Sequence, residues 1–375
     1  MERHEQGMPR PLAAAAIRLN WTHAQMAIVN ALGNIYWRAG ALDDAVRAFQ
    51  TVQGLARQCN SPIHEADALN NAGLIYWKQG RYDEALEAFH ASLSPRHQTH
   101  DRFGLCGALL NMGIIQEQRG QVAAARRSYD NALTLANKTG FAQALAAVES
   151  NLSNLQRRLG MGAEALDHSM RAIEFSRQAA DPYYESIAEE NAGLALAALD
   201  RPAEAREHLT RALRLADERG MAERALSVRL QLLQLRPPSE QDMATAVSEV
   251  ETIVHTVQQN GYKDLIPRAL RIKARVMMAA APPSANAHED SAPAECLRQA
   301  LDSAQQRGNL FEELECWRAL RLYHEGANQP VQARAAGEQI SRITLRLRRG
   351  DMEPARRPDS ADARLEGAIG TPPPK

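Results

Sequence analysis

Residues 71–86 read Asn-Ala-Gly-Leu-Ile-Tyr-Trp-Lys-Gln-Gly-Arg-Tyr-Asp-Glu-Ala-Leu. Upstream and within this stretch, Ile63, Ala66, Leu69, Ala72, Gly73 and Tyr76 recur at helical spacing, which predicts an amphipathic helix of about five turns. Gly80 ends it, because glycine takes the left-handed conformation that a helix terminus requires. Asp83 opens a second helix, with Ala85, Leu86, Ala88, Phe89, Ser92 and Leu93 as its buried stripe. Ser61 to His100 is thus predicted to be a helical hairpin. A lone hairpin leaves one apolar face wet, so its neighbours in the chain must cover it.

Working outward, the same signals return every forty residues. Glycine stands at Gly40, Gly80, Gly120 and Gly160, and Asp200 takes the next step. Alanine follows at Ala45, Ala85, Ala125, Ala165 and Ala205, and asparagine precedes the markers at Asn71, Asn111, Asn151 and Asn191. Three columns in one register mean a stacked repeat array. A further column, Gly33, Gly73, Gly113, Ser153 and Gly193, keeps a small residue inside the first helix. A mid-helix glycine costs about 1 kcal/mol against alanine. Its recurrence predicts that the second helix crosses closely there, with the alanine column as the matching small surface.

The order of these residues resembles the tetratricopeptide repeat: small residue, aromatic three later, helix-ending glycine, alanine five later, aromatic four after that. Asn71 to Tyr76 with Gly80 to Leu86 is close to its consensus, and the forty-residue period resembles the long-helix subclass of kinesin light chains and some bacterial regulators. The resemblance covers residues 20–220, five regular repeats. It implies an all-α, right-handed superhelical solenoid of about eight hairpins. It also implies that the asparagine column holds extended peptides, a role carried to Asn71, Asn111, Asn151 and Asn191 only.

Outside that core the register loosens. Residues 1–19 read as a capping helix or the remnant of an earlier one, with Leu12 to Leu19 resembling the end of a second helix. Residues 221–349 read as degenerate repeats: a turn at Arg236 to Ser239, helices around Met243 to Val257 and Ala269 to Ala281, a flexible Pro- and Ala-rich loop at 282–293, then Ala294 to Gln306 and a last hairpin pairing Leu310 to Glu325 with Val331 to Leu347. Residues 350–375, Pro- and Arg-rich, read as a disordered tail.

Composition narrows the function classes. Lys and Arg total 44 against 45 Asp and Glu, a net charge of −1 that gives no global field for nucleic acid or an anionic membrane. No apolar run approaches the ~18 residues of a membrane span, and Pro11 to Leu19 is too short and alanine-rich for a signal peptide. Cys59, Cys106, Cys296 and Cys316 form no CxxC pair and read as reduced, packed thiols. A cytoplasmic protein is expected. No nucleotide-binding, metalloprotease or nucleophile-elbow motif occurs, so neither catalysis nor a cofactor is expected. His97 and His100 form an HxxH near His90 that lacks further ligands, so no metal site is expected. His168 and His208, one period apart, read as interhelix packing with a backbone hydrogen bond.

The candidate binding surface lies in the first helices. Asp67, Asn71, Leu74 and Lys78 share one stripe, turned away from the packing stripe of Leu69, Ala72, Gly73 and Tyr76. Asn34 and Asn154 sit one turn beyond the asparagine column; Arg38, Lys78, Gln118 and Arg158 form another column one turn further. Asn70 flanks the first column, and Trp77 adjoins Lys78 as a possible apolar anchor. Asparagine offers both donors and an acceptor, matching an extended backbone, and the cations suit carboxylates of an acidic segment or chain terminus. The column admits two readings: a ligand-binding ladder on the concave face, or a structural ladder tying first helices together. Arg268, Arg271, Lys273 and Arg275 on one helix, and Arg342, Arg346, Arg348 and Arg349 on the last, read as solvated faces or as a partner-domain contact. The expected function is a non-catalytic scaffold or adaptor that binds an extended peptide or partner tail. The alternative is a peptide-responsive sensor acting on a separate effector. Neither a membrane nor nucleic acid is expected as a partner, and the oligomeric state stays open.

Overall fold

The computed structural model describes residues 10–235, 240–281 and 291–350. Among the described residues there are sixteen α-helices and no strand. They run α1 (Arg10–Arg38), α2 (Leu42–Gln58), α3 (Pro62–Lys78), α4 (Tyr82–Gln98), α5 (Arg102–Gln118), α6 (Val122–Thr139), α7 (Ala142–Arg158) and α8 (Gly162–Gln178). Then follow α9 (Pro182–Ala198), α10 (Pro202–Glu218), α11 (Ala222–Gln234), α12 (Glu240–Gln259), α13 (Ile266–Ala280), α14 (Ala292–Gln306), α15 (Leu310–Gly326) and α16 (Pro330–Gly350). Odd and even helices pair into eight hairpins, an all-α solenoid. The described residues divide into two compact units, a first up to Ile115 and a second from Gln116, the boundary falling inside α5.

The forty-residue period is two twenties. Helices α2 to α5 and α7 to α10 each hold 17 residues, and each turn between them is closed by a left-handed residue. That residue is Gly40, Gly80, Gly120, Gly160 or Asp200 inside a hairpin and Asn60, His100, Gly140, Ala180 or Gly220 between hairpins. The first set is legible as a glycine column; the second is chemically mixed and invisible to column reading. Ala180, with φ of 51°, holds a conformation that costs an L-residue about 1–2 kcal/mol. Its turn is tied down by Ala180 N–H donating to Arg177 O (3.0 Å) and Asp181 N–H donating to Ser176 O (2.9 Å), which satisfies the helix-end carbonyls.

The small-residue column meets the second helix through the alanine column, as expected, and also through a larger residue. In the first unit, a Cβ on Gly33 would stand 2.8 Å from the Phe49 ring, and one on Gly73 2.8 Å from the Phe89 ring. In the second unit, Gly193 faces Leu209 at 2.8 Å and the Ala205 carbonyl at 2.9 Å, while Ser153 Oγ donates to Ala165 O at 2.8 Å. The alanine column is fully buried; in the second unit the carbonyls of Ala165 and Ala205 meet the small residue, while the large residue four positions later fills the notch at Gly33, Gly73 and Gly193.

Four sequence expectations change in detail. Leu12 to Leu19 run without a break into α1, a single 29-residue helix. Ala292 and Pro293, placed in the flexible loop, begin α14; residues 282–290, the 236–239 turn and the tail from 351 lie outside the described residues. Tyr76 is only half-buried, and Ile75 takes its place in the core. His168 and His208 do not bond backbone: each Nδ1 meets a buried glutamate at 2.6 Å, Glu149 and Glu189 respectively. Arg171 and Arg211 complete the same pairs one period apart, at 3.0 and 3.2 Å. The reason is electrostatic. A carboxylate at the helix–helix seam needs cationic donors when it loses water. No described helix is long and apolar enough to cross a membrane.

Candidate ligand-binding face and a cationic cavity

In the first unit, α3 buries Ala66, Ala68, Leu69, Ala72, Gly73 and Ile75 and holds Asn71 off that core. Asn34, Asn70, Asn71 and Asn111 are all half-buried; Arg38 and Lys78 are exposed. Asn71 Nδ2 donates to Asn30 Oδ1 of the preceding first helix at 3.4 Å. Trp77 is half-buried and packs against the cluster of Tyr82, Ala85, Phe89 and Ile115.

In the second unit, Asn191 Nδ2 donates across to Ser150 O of the preceding first helix at 2.9 Å. Asn151 instead donates to Ala147 O of its own helix at 2.8 Å. Asn154 and Arg158 converge on one carboxylate: Asn154 Nδ2 donates to Glu117 Oε1 at 3.0 Å, and Arg158 Nε lies 3.1 Å from the same atom. Tyr129 OH donates to the other oxygen at 3.0 Å. Gln118 beside them is half-buried.

This cluster is one arc of a ring. Glu190 on α9 accepts from Arg224 and from Ser227 Oγ (2.9 Å) on α11. Ser227 Oγ in turn accepts from Arg268 on α13 at 3.2 Å. Arg271 donates to Glu312 on α15 at 3.3 Å, with Arg268 3.9 Å from the same carboxylate. Phe311, next to Glu312, lies under the Arg158 guanidinium of α7, 4.8 Å from ring centroid to Cζ. With the bond from Asn191 to Ser150, side chains link α7, α9, α11, α13 and α15 and return to α7. The eighth hairpin also seats on the third: a Cβ on Gly120 would meet Leu347 at 2.5 Å and Leu310 at 2.8 Å.

The ring encloses a cavity of about 230 Å³. Five arginines and two glutamates line it, with Gln231 and Gln234 as amides and Leu194, Phe311 and Leu314 as an apolar wall. The solvated-face reading of Arg268 and Arg271 is therefore corrected: their side chains are 22% and 15% exposed and turn inward onto Glu312. Lys273 pairs with Glu251 at 3.4 Å, and Arg275, Arg342, Arg346 and Arg348 are exposed.

The local field follows from burial and charge. Burial raises the Glu117 carboxyl, against the pull of Arg158, Tyr129 and Arg157. Burial works the same way on Glu312, but Arg271, Arg268 and Arg158 outweigh it and hold that group at about 2. Arg157 is brought down to about 10 by burial and then by the like charges of Arg158 and Arg268. Its Nε is sealed from solvent without a partner, as is that of Arg271. Elsewhere, burial pushes the Cys106 thiol up to about 11 and Cys316 up to about 12, which makes both inert. None of the four cysteines is in a disulfide, and no group of His, Cys, Asp or Glu among the described residues has the makings of a metal site.

Sequence reading reached Asn154 and Arg158 but missed Glu117, Arg157, Glu190, Phe311 and Glu312. One signal was available. The position before the cation column holds Trp37 and Trp77, then Glu117 and Arg157. A half-buried tryptophan giving way to a charge in the same repeat position marks where polar groups enter the interior.

The described residues thus form an all-α solenoid of helical repeats whose first helices carry in-register amides and, in the second unit, surround a cationic cavity. Residues 24–94 match the tetratricopeptide repeat family model. A search of curated proteins gave no significant match. Among solved structures, the chain is similar to a Rap protein complexed with Competence and Sporulation Factor, at 14% identity and a TM-score of 0.63, covering 90% of this chain and 99% of that one. It is similar to the Rap conjugation gene regulator of plasmid pLS20 in complex with the Phr* peptide, at 12% identity and a TM-score of 0.60, covering 84% and 81%. The apo form of the quorum sensor NprR from B. thuringiensis follows at 13% and 0.58, covering 78% and 83%. At these identities the likeness is one of fold.

Proposed function

We propose that this protein is a peptide-responsive regulatory module that binds an extended peptide along its first helices and passes the bound state to a separate partner protein, by occupancy and not by turnover. The observation that carries the reading is the half-buried amide column. Asn71, Asn111, Asn151 and Asn191 recur at one helical position, off the apolar core. Asn71, Asn151 and Asn191 each spend one N–H internally, which leaves a second N–H and a carbonyl oxygen for a ligand. Within either unit, adjacent helices pack about 8–10 Å apart and an extended chain advances about 3.3 Å per residue, so one amide serves every third ligand residue there. Arg38 and Lys78, exposed at the helix ends, suit acidic side chains. The fold supports the same reading, since one similar structure holds a peptide and another is a quorum sensor.

The test compares wild type with the Asn111→Ala, Asn151→Ala double variant. Peptides retained from native lysate are identified by mass spectrometry, then added back while the radius of gyration is followed by small-angle scattering. Peptides held by wild type, lost by a folded variant, and contracting the wild-type particle support the sensor. Binding without contraction leaves a static adaptor. Identical retention by both proteins removes the amides from the binding face.

A further inference from the structure

The cavity of the second unit carries more positive charge than its own carboxylates balance. Arg157, Arg158, Arg268, Arg271 and Arg318 face it, against Glu312 and Glu315. Glu312 takes Arg271 and Arg268; Glu315 takes Arg318 at 2.7 Å and Arg271 at 3.8 Å. Arg158 is satisfied by Glu117 and by the Phe311 ring. Arg157 is not: its one side-chain bond goes to the neutral Asn154 Oδ1, at 3.0 Å. A largely desolvated guanidinium whose only hydrogen bond goes to an amide, with the like charges of Arg158 and Arg268 beside it and the charges of Glu117 and Glu312 only partly offsetting them, is expensive to keep. It is retained to advantage where an anion completes it.

We propose that this cavity binds the phosphate group of a small organic phosphate, a ligand distinct from the extended peptide of the preceding reading. Three features favour phosphate over carboxylate. Five lining arginines against two lining glutamates leave an excess that Glu117 on Arg158 and Glu190 beside Arg268 cut to about one or two charges, and a phosphate monoester brings close to two. The guanidinium groups come from three helices, α7, α13 and α15, and so surround a centre. A tetrahedral oxyanion presents acceptors in several directions, whereas a planar carboxylate is best met by one arginine fork. The remaining wall of Leu194, Phe311 and Leu314 is apolar, with Gln231 and Gln234 beside it, which suits an organic body attached to the phosphate.

The full chain is titrated calorimetrically with inorganic phosphate, phenyl phosphate and phenylacetate at fixed ionic strength. Phenyl phosphate is expected to bind at least about tenfold tighter than phenylacetate, a difference of about 1.4 kcal/mol, and tighter than inorganic phosphate through contact with Phe311. Arg271→Gln should lose that binding, and so should Arg157→Gln. Where either variant fails to fold, Arg318→Glu at the exposed rim is the substitute, and it should weaken phenyl phosphate at least about tenfold with an unchanged helical spectrum. Equal binding of phenylacetate, no binding of any probe to folded wild type, or phenyl phosphate binding untouched by both Arg271→Gln and Arg318→Glu each overturns the proposal. None of these outcomes bears on peptide capture through Asn111 and Asn151, so the two readings fail separately.

Discussion

Arg158 of the fourth hairpin covers the ring of Phe311 in the eighth, with its guanidinium carbon 4.8 Å from the centroid. Its Nε is held 3.1 Å from Glu117 of the third. One cation therefore couples two consecutive hairpins to one far along the chain and closes the second unit around its cavity. A partly desolvated arginine on an aromatic face contributes about 0.5–2 kcal/mol. The cycle Arg158→Ala, Phe311→Ala should show a coupling of about 1 kcal/mol in denaturant unfolding. Strict additivity would mean that the two side chains do not meet.

The asparagines should separate energetically. Asn191→Ala removes a hydrogen bond to the Ser150 carbonyl of the neighbouring hairpin and should cost about 1 kcal/mol. Asn111, half-buried, has no side-chain hydrogen bond to another described residue, and its alanine variant should fall within about 0.5 kcal/mol of wild type. Thermal melts of the two variants give the comparison; equal losses would assign the whole column to structure.

Acid should loosen the second unit in a defined order. Burial tends to raise the Glu149 and Glu189 carboxyls, but their His and Arg partners outweigh it and bring both below the ordinary value. Glu312 is lowered further, to about 2. A depressed folded-state value means stability that is present above the unfolded carboxylate range and is lost as pH falls through the folded value. Glu149→Gln with Glu189→Gln should flatten the pH dependence of the melting temperature just below that range. The contribution of Glu312 should persist in this variant until pH approaches about 2. An unchanged acid profile in the double variant would exclude the two Glu–His–Arg groups as its source.

Two glycines with the same backbone conformation should differ. Gly120 and Gly160 have φ of 73° and 82°, so alanine at either costs about 1–2 kcal/mol in strain. Around Gly160 the space is open, whereas a Cβ at Gly120 meets Leu347 and Leu310. Gly120→Ala should thus lose roughly a further 1–3 kcal/mol in denaturant unfolding. Equal losses would show that the eighth hairpin does not rest on the third.

Charge reversal at Lys78, exposed at the end of α3, should weaken an acidic peptide most at low salt, because exposed ion pairs are screened within about 10 Å at 0.1 M. Affinity measured over a salt series decides this. A loss independent of salt would argue against acidic groups in the ligand.

The sequence by itself determined the hairpins. Gly80 ends α3, Asp83 sits in the first turn of α4, and Gly73 leaves the notch that Phe89 fills. All of these are contacts within one or two turns of chain, or across one hairpin, so a forty-residue column records them. The half-period turns at Asn60, His100 and Ala180 stayed hidden because backbone hydrogen bonds, and no single residue type, hold them. Only the tertiary structure decided that Arg268 and Arg271 face inward, that His168 and His208 meet glutamates, and that Arg158 reaches Phe311. Those contacts depend on how successive hairpins accumulate rotation until the eighth meets the third and fourth. No local pattern encodes that sum, and it is the sum that turns a row of side chains into a partly open, cationic cavity.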